Sequence, residues 1–264
     1  MQRIMIIALA LLCMIPAAAE NVSTADSLYN KNQYEEALRV YQDVQKEGLT
    51  SAAMLYNMGN AAVKCDHYGE AMVAYQKAQS MDPGNSRIRN NIEYLQQKVF
   101  DRNNAKLGGR KGDVTPDEPS GLSALWYNIT GCVNPNLWGT LAFGFFVLLL
   151  AGVLCYFLSG NVLVRKIGFF SAIGCVALTI IFGCFTVGAR NHWANRQICV
   201  VTAFESTPLP KPDKEEKSTL TPLVAGTLLS TPETDTPTPE GWVFVRLNAT
   251  TAGYVPAEEV TVIK

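Results

Sequence analysis

Two segments of the chain are offset copies of one another. Tyr34, Glu36, Ala37 and Tyr41 recur as Tyr68, Glu70, Ala71 and Tyr75, each pair 34 residues apart (71 minus 37). A repeat of that length cannot bury its apolar side alone, so it must stack on a neighbour as one unit of an array. Stacked helical hairpins build an extended concave surface, which points to recognition of another polypeptide and away from catalysis. The second copy is the cleaner one, with Leu55, Met58, Gly59 and Ala62 on its first helix, Ala71, Tyr75 and Ala78 on its second, and Pro83 as the stop.

The period and the run Leu55–Ala61 (L-Y-N-M-G-N-A) resemble the tetratricopeptide repeat. The first hairpin is expected over Val22–Lys46 with a polar turn at Asn30–Gln33, and the second over Ala52–Met81 with a turn at Cys65–Tyr68. A last helix, Ser86–Arg102, places Ile88, Ile92, Leu95 and Val99 at helical spacing and would cap the array. Residues 20–102 thus form an all-α domain.

The remaining hydrophobicity is concentrated in two runs. Leu137–Leu158 and Ile167–Val187 contain no Asp, Glu, Lys, Arg or His, and each matches the ~20 residues that cross ~30 Å of hydrocarbon. A third run, Ile4–Ile15, follows Arg3 and precedes Pro16 and Ala17–Ala19, the pattern of a secretory signal cut after Ala19. A cleaved signal makes the first span run inward and the second return, with Arg165 and Lys166 of the 159–166 connection on the cytoplasmic side. Both soluble parts then face the periplasm of a bacterial inner membrane. Between them, 103–136 reads as a linker followed by a short amphipathic helix at Leu122, Leu125, Trp126 and Ile129, suited either to the membrane interface or to a partner.

Residues 197–264 change to strand pattern. Ile198–Phe204, Thr227–Leu229, Trp242–Leu247 and Gly253–Val255 are short β-branched and aromatic runs, separated by two proline-rich gaps. The stretch Gly241–Leu247 followed by Ala252–Ala257 resembles the last strands of a bacterial SH3-like barrel, with Tyr254 where a second Trp is usual. The whole architecture, a multidomain membrane protein with all-α tetratricopeptide repeats, a two-helix membrane hairpin and a small all-β SH3-like barrel, resembles the BatE-type proteins of the Bacteroides aerotolerance operon. That resemblance implies a non-enzymatic adaptor linked to oxidative stress survival, with other membrane proteins carrying von Willebrand factor A domains as partners. The alternative is a cell-wall sensor whose SH3-like domain binds peptidoglycan.

Composition and motifs narrow the chemistry. A formal net charge of −1 gives no electrostatic case for nucleic acid. No Walker loop, H-E-x-x-H or G-x-S-x-G is present, and no cofactor or catalytic residue is expected. Of seven cysteines, none forms a C-x-x-C pair; of the six beyond the signal segment, Cys65, Cys132 and Cys199 lie outside the spans. Asn57, Asn60 and Lys64, with Arg87, Asn90 and Asn91 of the last helix, are the candidate peptide groove, unless they are simply solvated. Trp242 and Tyr254 mark a candidate face of the β module. Strand parity puts Trp242 opposite Val243 and Val245, so its expected place in the core beside Val245 and Val255 requires a bulge or a strand start there. Ser171, Cys175, Thr179 and Gly183 form a small-residue stripe for close helix packing, with Ala151 and Cys155 as the natural neighbours.

Overall fold

The computed structural model describes residues 21–106, 121–131, 133–194, 196–212, 218, 220–232, 238–248 and 250–263. The expected signal segment, its cut after Ala19, and Cys132 lie outside these residues. The chain forms two compact units, one from both ends of the chain (up to 117 and from 197) and one from the middle (118–196).

The first unit begins with five helices: α1 (residues 21–30), α2 (Tyr34–Lys46), α3 (Ala52–Lys64), α4 (Tyr68–Met81) and α5 (Ser86–Lys106). The Ser51 hydroxyl caps α3 by accepting the Met54 N–H at 3.1 Å. Asn32 and Asp66 take left-handed φ of 61° and 60° in the turns before α2 and α4, a conformation that Asn and Asp tolerate better than most residues. Gly59 lets α3 and α4 close up, since a Cβ there would fall 2.5 Å from the Tyr75 ring. Helix α4 is buried on nearly every side, through Tyr68, Met72, Tyr75, Gln76 and Gln79 among others, so no one-sided apolar stripe marks it.

The reason is a sheet. Strands β1 (Ile198–Val201), β4 (Leu228–Ser230), β5 (Trp242–Arg246), β6 (Ala252–Pro256) and β7 (Val260–Ile263) form an antiparallel sheet in the order β6-β5-β4-β1-β7. A small ribbon pairs β2 (Glu205–Ser206) with β3 (Leu223–Val224). Ile198, Val200, Val224, Leu228 and Ile263 join the same hydrophobic core as Leu55, Tyr75, Leu95 and Val99. The opposite side chains, Cys199, Val201, Leu229, Val245 and Val255, form a second core within the strands. Helices α4 and α5 are the two that a further hairpin of the array would cover, and here the strands cover them instead.

Several expectations shift. The all-α and all-β parts are one body, not two tethered modules. Helix α5 runs to Lys106, past the expected boundary at Arg102, because Asn103 is held by the sheet. Strand β1 stops at Val201, where the Thr202 and Ala203 N–H groups both turn to the Glu259 carbonyl. Strands β2, β3 and β7 lie outside the expected strand runs.

The second unit holds α6 (Leu122–Gly131), α7 (Pro135–Leu158) and α8 (Val162–Ala194). Helices α7 and α8 are long and apolar enough to cross a membrane, with mean hydropathy of 2.6 and 2.2 in their most apolar windows. Only 6% and 11% of those windows are buried, which separates them from core helices of a soluble protein. The connection between them is Ser159–Asn161, shorter than the 159–166 loop expected. Asn161 accepts the Leu163 N–H at 2.9 Å and starts α8 early, so Arg165 and Lys166 lie within its first two turns. Arg190 and His192 extend the same helix at its other end.

Candidate functional site

The 34-residue period reappears in the hydrogen bonds between helices. Tyr41 of α2 donates its hydroxyl to Asp26 of α1, and Asn57 of α3 donates to the same oxygen at 3.0 Å. One period later Tyr75 of α4 donates to Asn60 of α3 at 2.7 Å, and Asn91 of α5 donates to that same oxygen at 2.8 Å. Each acceptor therefore ties its own hairpin to the first helix of the next. Burial, aided by the bond to Asp26, raises the Tyr41 hydroxyl pKa, and burial raises that of Tyr75, so both stay protonated donors.

A second set recurs at the turns. Tyr34 donates to Asn32 and Tyr68 to Asp66, each at 2.6 Å. Lys64 lies over the Tyr34 ring at 5.9 Å, and Lys98 over the Tyr68 ring at 5.2 Å, within cation–π range. The Lys98 pKa is raised, chiefly by its hydrogen bond to the Tyr68 hydroxyl at 3.2 Å. The six expected groove residues thus divide. Asn57, Asn60, Asn91 and Lys64 tie repeat to repeat, while Arg87 and Asn90 on α5 are exposed and their side chains bond to no described residue. The unused capacity of the amides, the Asn60 N–H₂ and the Asn57 and Asn91 carbonyls, remains for a ligand.

Helix α5 and the sheet are locked by a buried asparagine. Asn103, 8% exposed, accepts the Val224 N–H at 3.1 Å and donates to the Thr227 hydroxyl at 3.3 Å; that hydroxyl donates to the Val224 carbonyl at 2.7 Å. Gly226, at φ 89°, passes so close to α4 and α5 that a Cβ would meet Val99 at 2.9 Å and the Tyr68 carbonyl at 3.0 Å. One signal for this contact was present in the sequence: Asn103 follows Val99 by four residues on the apolar face of α5. Beside the lock, a cleft of about 430 Å³ opens between the α3–α4 turn, α5 and the turns after β1 and β3.

The sheet face that covers the helices continues past them. Register places Trp242, Phe244 and Tyr254 on the same side as Ile198 and Val200, but beyond the helices, and all three are half-buried. Trp242 is therefore not in the core with Val245 and Val255. Strand β5 begins at Trp242 without a bulge, and parity sends the ring to the other side. Phe244 and Tyr254 rings lie 5.1 Å apart, and Leu209 closes the outer edge of β6 with two 2.8 Å backbone bonds to Tyr254.

In the second unit α7 and α8 approach closely at Gly152 and Gly168, where a Cβ on either would meet the other's carbonyl oxygen at 2.9 or 2.7 Å. Ser171 and Cys155 flank this contact. Gly152, not the exposed Ala151, is the inward residue of α7. Gly183 meets nothing within 4 Å and opens instead on a cavity between α6 and α8, so the stripe from Ser171 to Gly183 is not one interface. The α7 contact on α8 passes to Phe182, stacked on Phe145 and Trp138.

No protein-family model, curated protein or solved structure matches the chain. Among the described residues no group of three His, Cys, Asp or Glu is placed to hold a metal ion. Burial pushes the Cys199 thiol up to about 12 and the Cys65 thiol, with Glu35 nearby, up to about 11, the opposite of an activated nucleophile.

Proposed function

We propose that this chain is a non-enzymatic membrane scaffold that presents one rigid body to a protein partner, on the non-cytoplasmic side of a bacterial inner membrane. The observation that carries this reading is the common core of residues 21–106 and 197–263. Segments that share a core occupy one compartment, so the two apolar helices between them cross an even number of times. The simplest solution is a hairpin in which α7 and α8 each span once. The helical repeats, read as tetratricopeptide hairpins, supply the partner surface, and the strands, read as an SH3-like module, close the array.

This fits an adaptor of the BatE type, with von Willebrand factor A domain membrane proteins as partners and a part in aerotolerance. The half-buried Trp242, Phe244 and Tyr254 favour a second reading, in which the uncovered sheet face contacts peptidoglycan. Alkaline phosphatase fused at Lys264 is expected to be active and at Asn161 inactive. The reverse pattern, or equal activity, sinks the topology. The partner surface is tested with Arg87→Ala/Asn90→Ala, which leaves the ties between repeats intact: co-purification with a von Willebrand factor A domain protein should fall with the thermal midpoint unchanged. Loss of retention on purified sacculi in Phe244→Ala, with co-purification intact, would instead support the second reading.

A further inference from the structure

Helix α6 rests on α8 closely enough to need two glycines. A Cβ at Gly188 would fall 2.4 Å from the Trp126 ring, and one at Gly131 would fall 3.2 Å from the His192 imidazole. Beside these contacts the two helices enclose an open groove of about 840 Å³. Its floor on α8 is Ile180, Gly183, Cys184 and Val187, and Asn191 and His192 line its end. On α6, Thr130 turns its hydroxyl to the Trp126 carbonyl at 2.8 Å and its methyl toward Gly188. The groove is therefore apolar over most of its length and polar at one end, and that gradient has a definite depth. The charge-free part of α8, Ile167–Ala189, has its middle at Leu178. In a membrane that α8 crosses, Ile180 lies near the centre and Asn191 at the surface. From Ile180 to His192 is 12 residues (192 minus 180), about 18 Å of helix, against ~15 Å for one leaflet of a ~30 Å hydrocarbon core. A partner helix would continue through the other leaflet, and over that length its ~10–12 Å diameter would need roughly 1,400–2,000 Å³, about twice the groove. An acyl chain starts at the surface and ends at the midplane.

The polar end of the groove is also the cationic one. Apart from Glu118 at its start, the second unit has no Asp or Glu in its sequence, and it has Arg165, Lys166, Arg190 and Arg196. Arg190 is exposed three residues past Val187, one turn nearer the surface at the groove's edge. Arg196 lies just beyond α8, over the Trp193 ring at 5.0 Å from the centroid. We propose that the groove holds one acyl chain of a phospholipid from the leaflet nearest α6, with the lipid phosphate on Arg190. The proposal rests on the membrane-hairpin reading and deepens it, since α6 then keeps one lipid on the protein instead of merely lying at the surface. A guanidinium fork suits a phosphate, with two parallel N–H donors to two of its oxygens. The volume is within the ~300–1,000 Å³ of ordinary ligand sites.

The test takes the full chain purified in dodecyl maltoside and adds dioleoyl phosphatidylglycerol or dioleoylglycerol, which has the same chains and no phosphate. Native mass spectrometry then counts the bound lipid. One phosphatidylglycerol per chain should survive removal of the detergent, and dioleoylglycerol should be held roughly ten-fold less, the size of one charge-assisted contact. Gly183→Phe should lose the lipid, because its ring enters the groove from a position with nothing within 4 Å. Gly174→Phe is the control: that glycine is equally open on α8 but does not line the groove, and the variant should keep the lipid. Arg190→Gln should lower retention to the dioleoylglycerol level, while Arg165→Gln, near the other end of α8, should not. Equal retention by the two glycine variants means a lipid annulus only and overturns the proposal. A doubled chain mass that Gly183→Phe abolishes puts a second copy in the groove and overturns it too. So does equal retention of the two lipids by the unchanged chain, a comparison that needs no variant to fold. Phosphatase fusions with the expected pattern and no retained lipid overturn the groove alone, and the reverse pattern with a lipid retained overturns the orientation alone.

Discussion

In the helical repeats polar side chains reach from one helix to the next, whereas in the α7–α8 pair they turn back on their own helix. Tyr75, Asn60 and Asn91 join three helices through one oxygen. Ser171 donates to the Gly168 carbonyl at 3.1 Å, Thr179 to Cys175 at 2.7 Å and Thr186 to Phe182 at 2.8 Å. Close approach differs too: Gly59 admits an aromatic ring from α4, while Gly152 and Gly168 admit each other's backbone. The membrane setting proposed for α7 and α8 accounts for the contrast. In water, apolar burial drives helices together and polar ties choose the register. In hydrocarbon, association gains no hydrophobic term, so small residues and dispersion supply contact and each hydroxyl needs a local acceptor.

If that contrast is right, deleting core volume should hurt the two regions unequally, and the largest effect belongs to the repeats. Leu95 is fully buried where α5 meets the shared core. Leu95→Ala should destabilise the first unit by about 2 to 5 kcal/mol, read as faster hydrogen exchange across α4, α5 and the strands together. Exchange that quickened in the helices alone would mean that the strands are a separate cooperative unit, and the one-body account would fall. The hairpin breaks in the opposite way, by adding volume. Gly152→Val places a side chain against the Gly168 carbonyl, and overpacking of about 1 to 3 kcal/mol should change the migration of the chain on a denaturing gel. Gly152→Ala should be intermediate, and Ala151→Val, on an exposed position, should be silent.

What could be read from the sequence follows the same division. The repeat spacing and the two charge-free runs are local patterns, so α2 to α5 and α7 were legible to within a few residues, while α8 (Val162–Ala194) outruns its charge-free run at both ends. The helix–sheet contact was not. Val200 and Ile263 alternate as any strand residue does, and nothing in a period of 2 says whether the far side meets water or another element. Helix boundaries failed where a capping side chain decided them, as with Asn161 drawing Arg165 and Lys166 into α8. Position picks out the groove residues, but not the ties that some of them make between repeats. Asn60 and Lys64 lie where a ligand surface is expected, yet tie one repeat to the next, because amide and ammonium groups serve a neighbouring tyrosine as well as a peptide.

The smallest effect is also the most direct test of the polar contrast. Tyr75→Phe removes only a hydroxyl, leaves the ring against Gly59, and leaves the half-buried Asn60 and Asn91 amides bonded to each other but without the hydroxyl that both contact. A single net hydrogen bond is worth about 0.5 to 1.5 kcal/mol, so the thermal midpoint of the first unit should fall by a few degrees. Thr179→Val in the hairpin removes a hydroxyl that bonds only within α8, where the Cys175 carbonyl keeps its ordinary helical role, and it should be neutral within error. Tyr41→Phe, one period earlier, should lose at least as much as Tyr75→Phe, because its acceptor is the carboxylate of Asp26 and a bond to a charged group is the stronger kind. Equal and negligible effects at Tyr75 and Thr179 would mean that the ladder follows from packing and does not choose the register. A larger effect at Thr179 would reverse the account of which region depends on its polar groups.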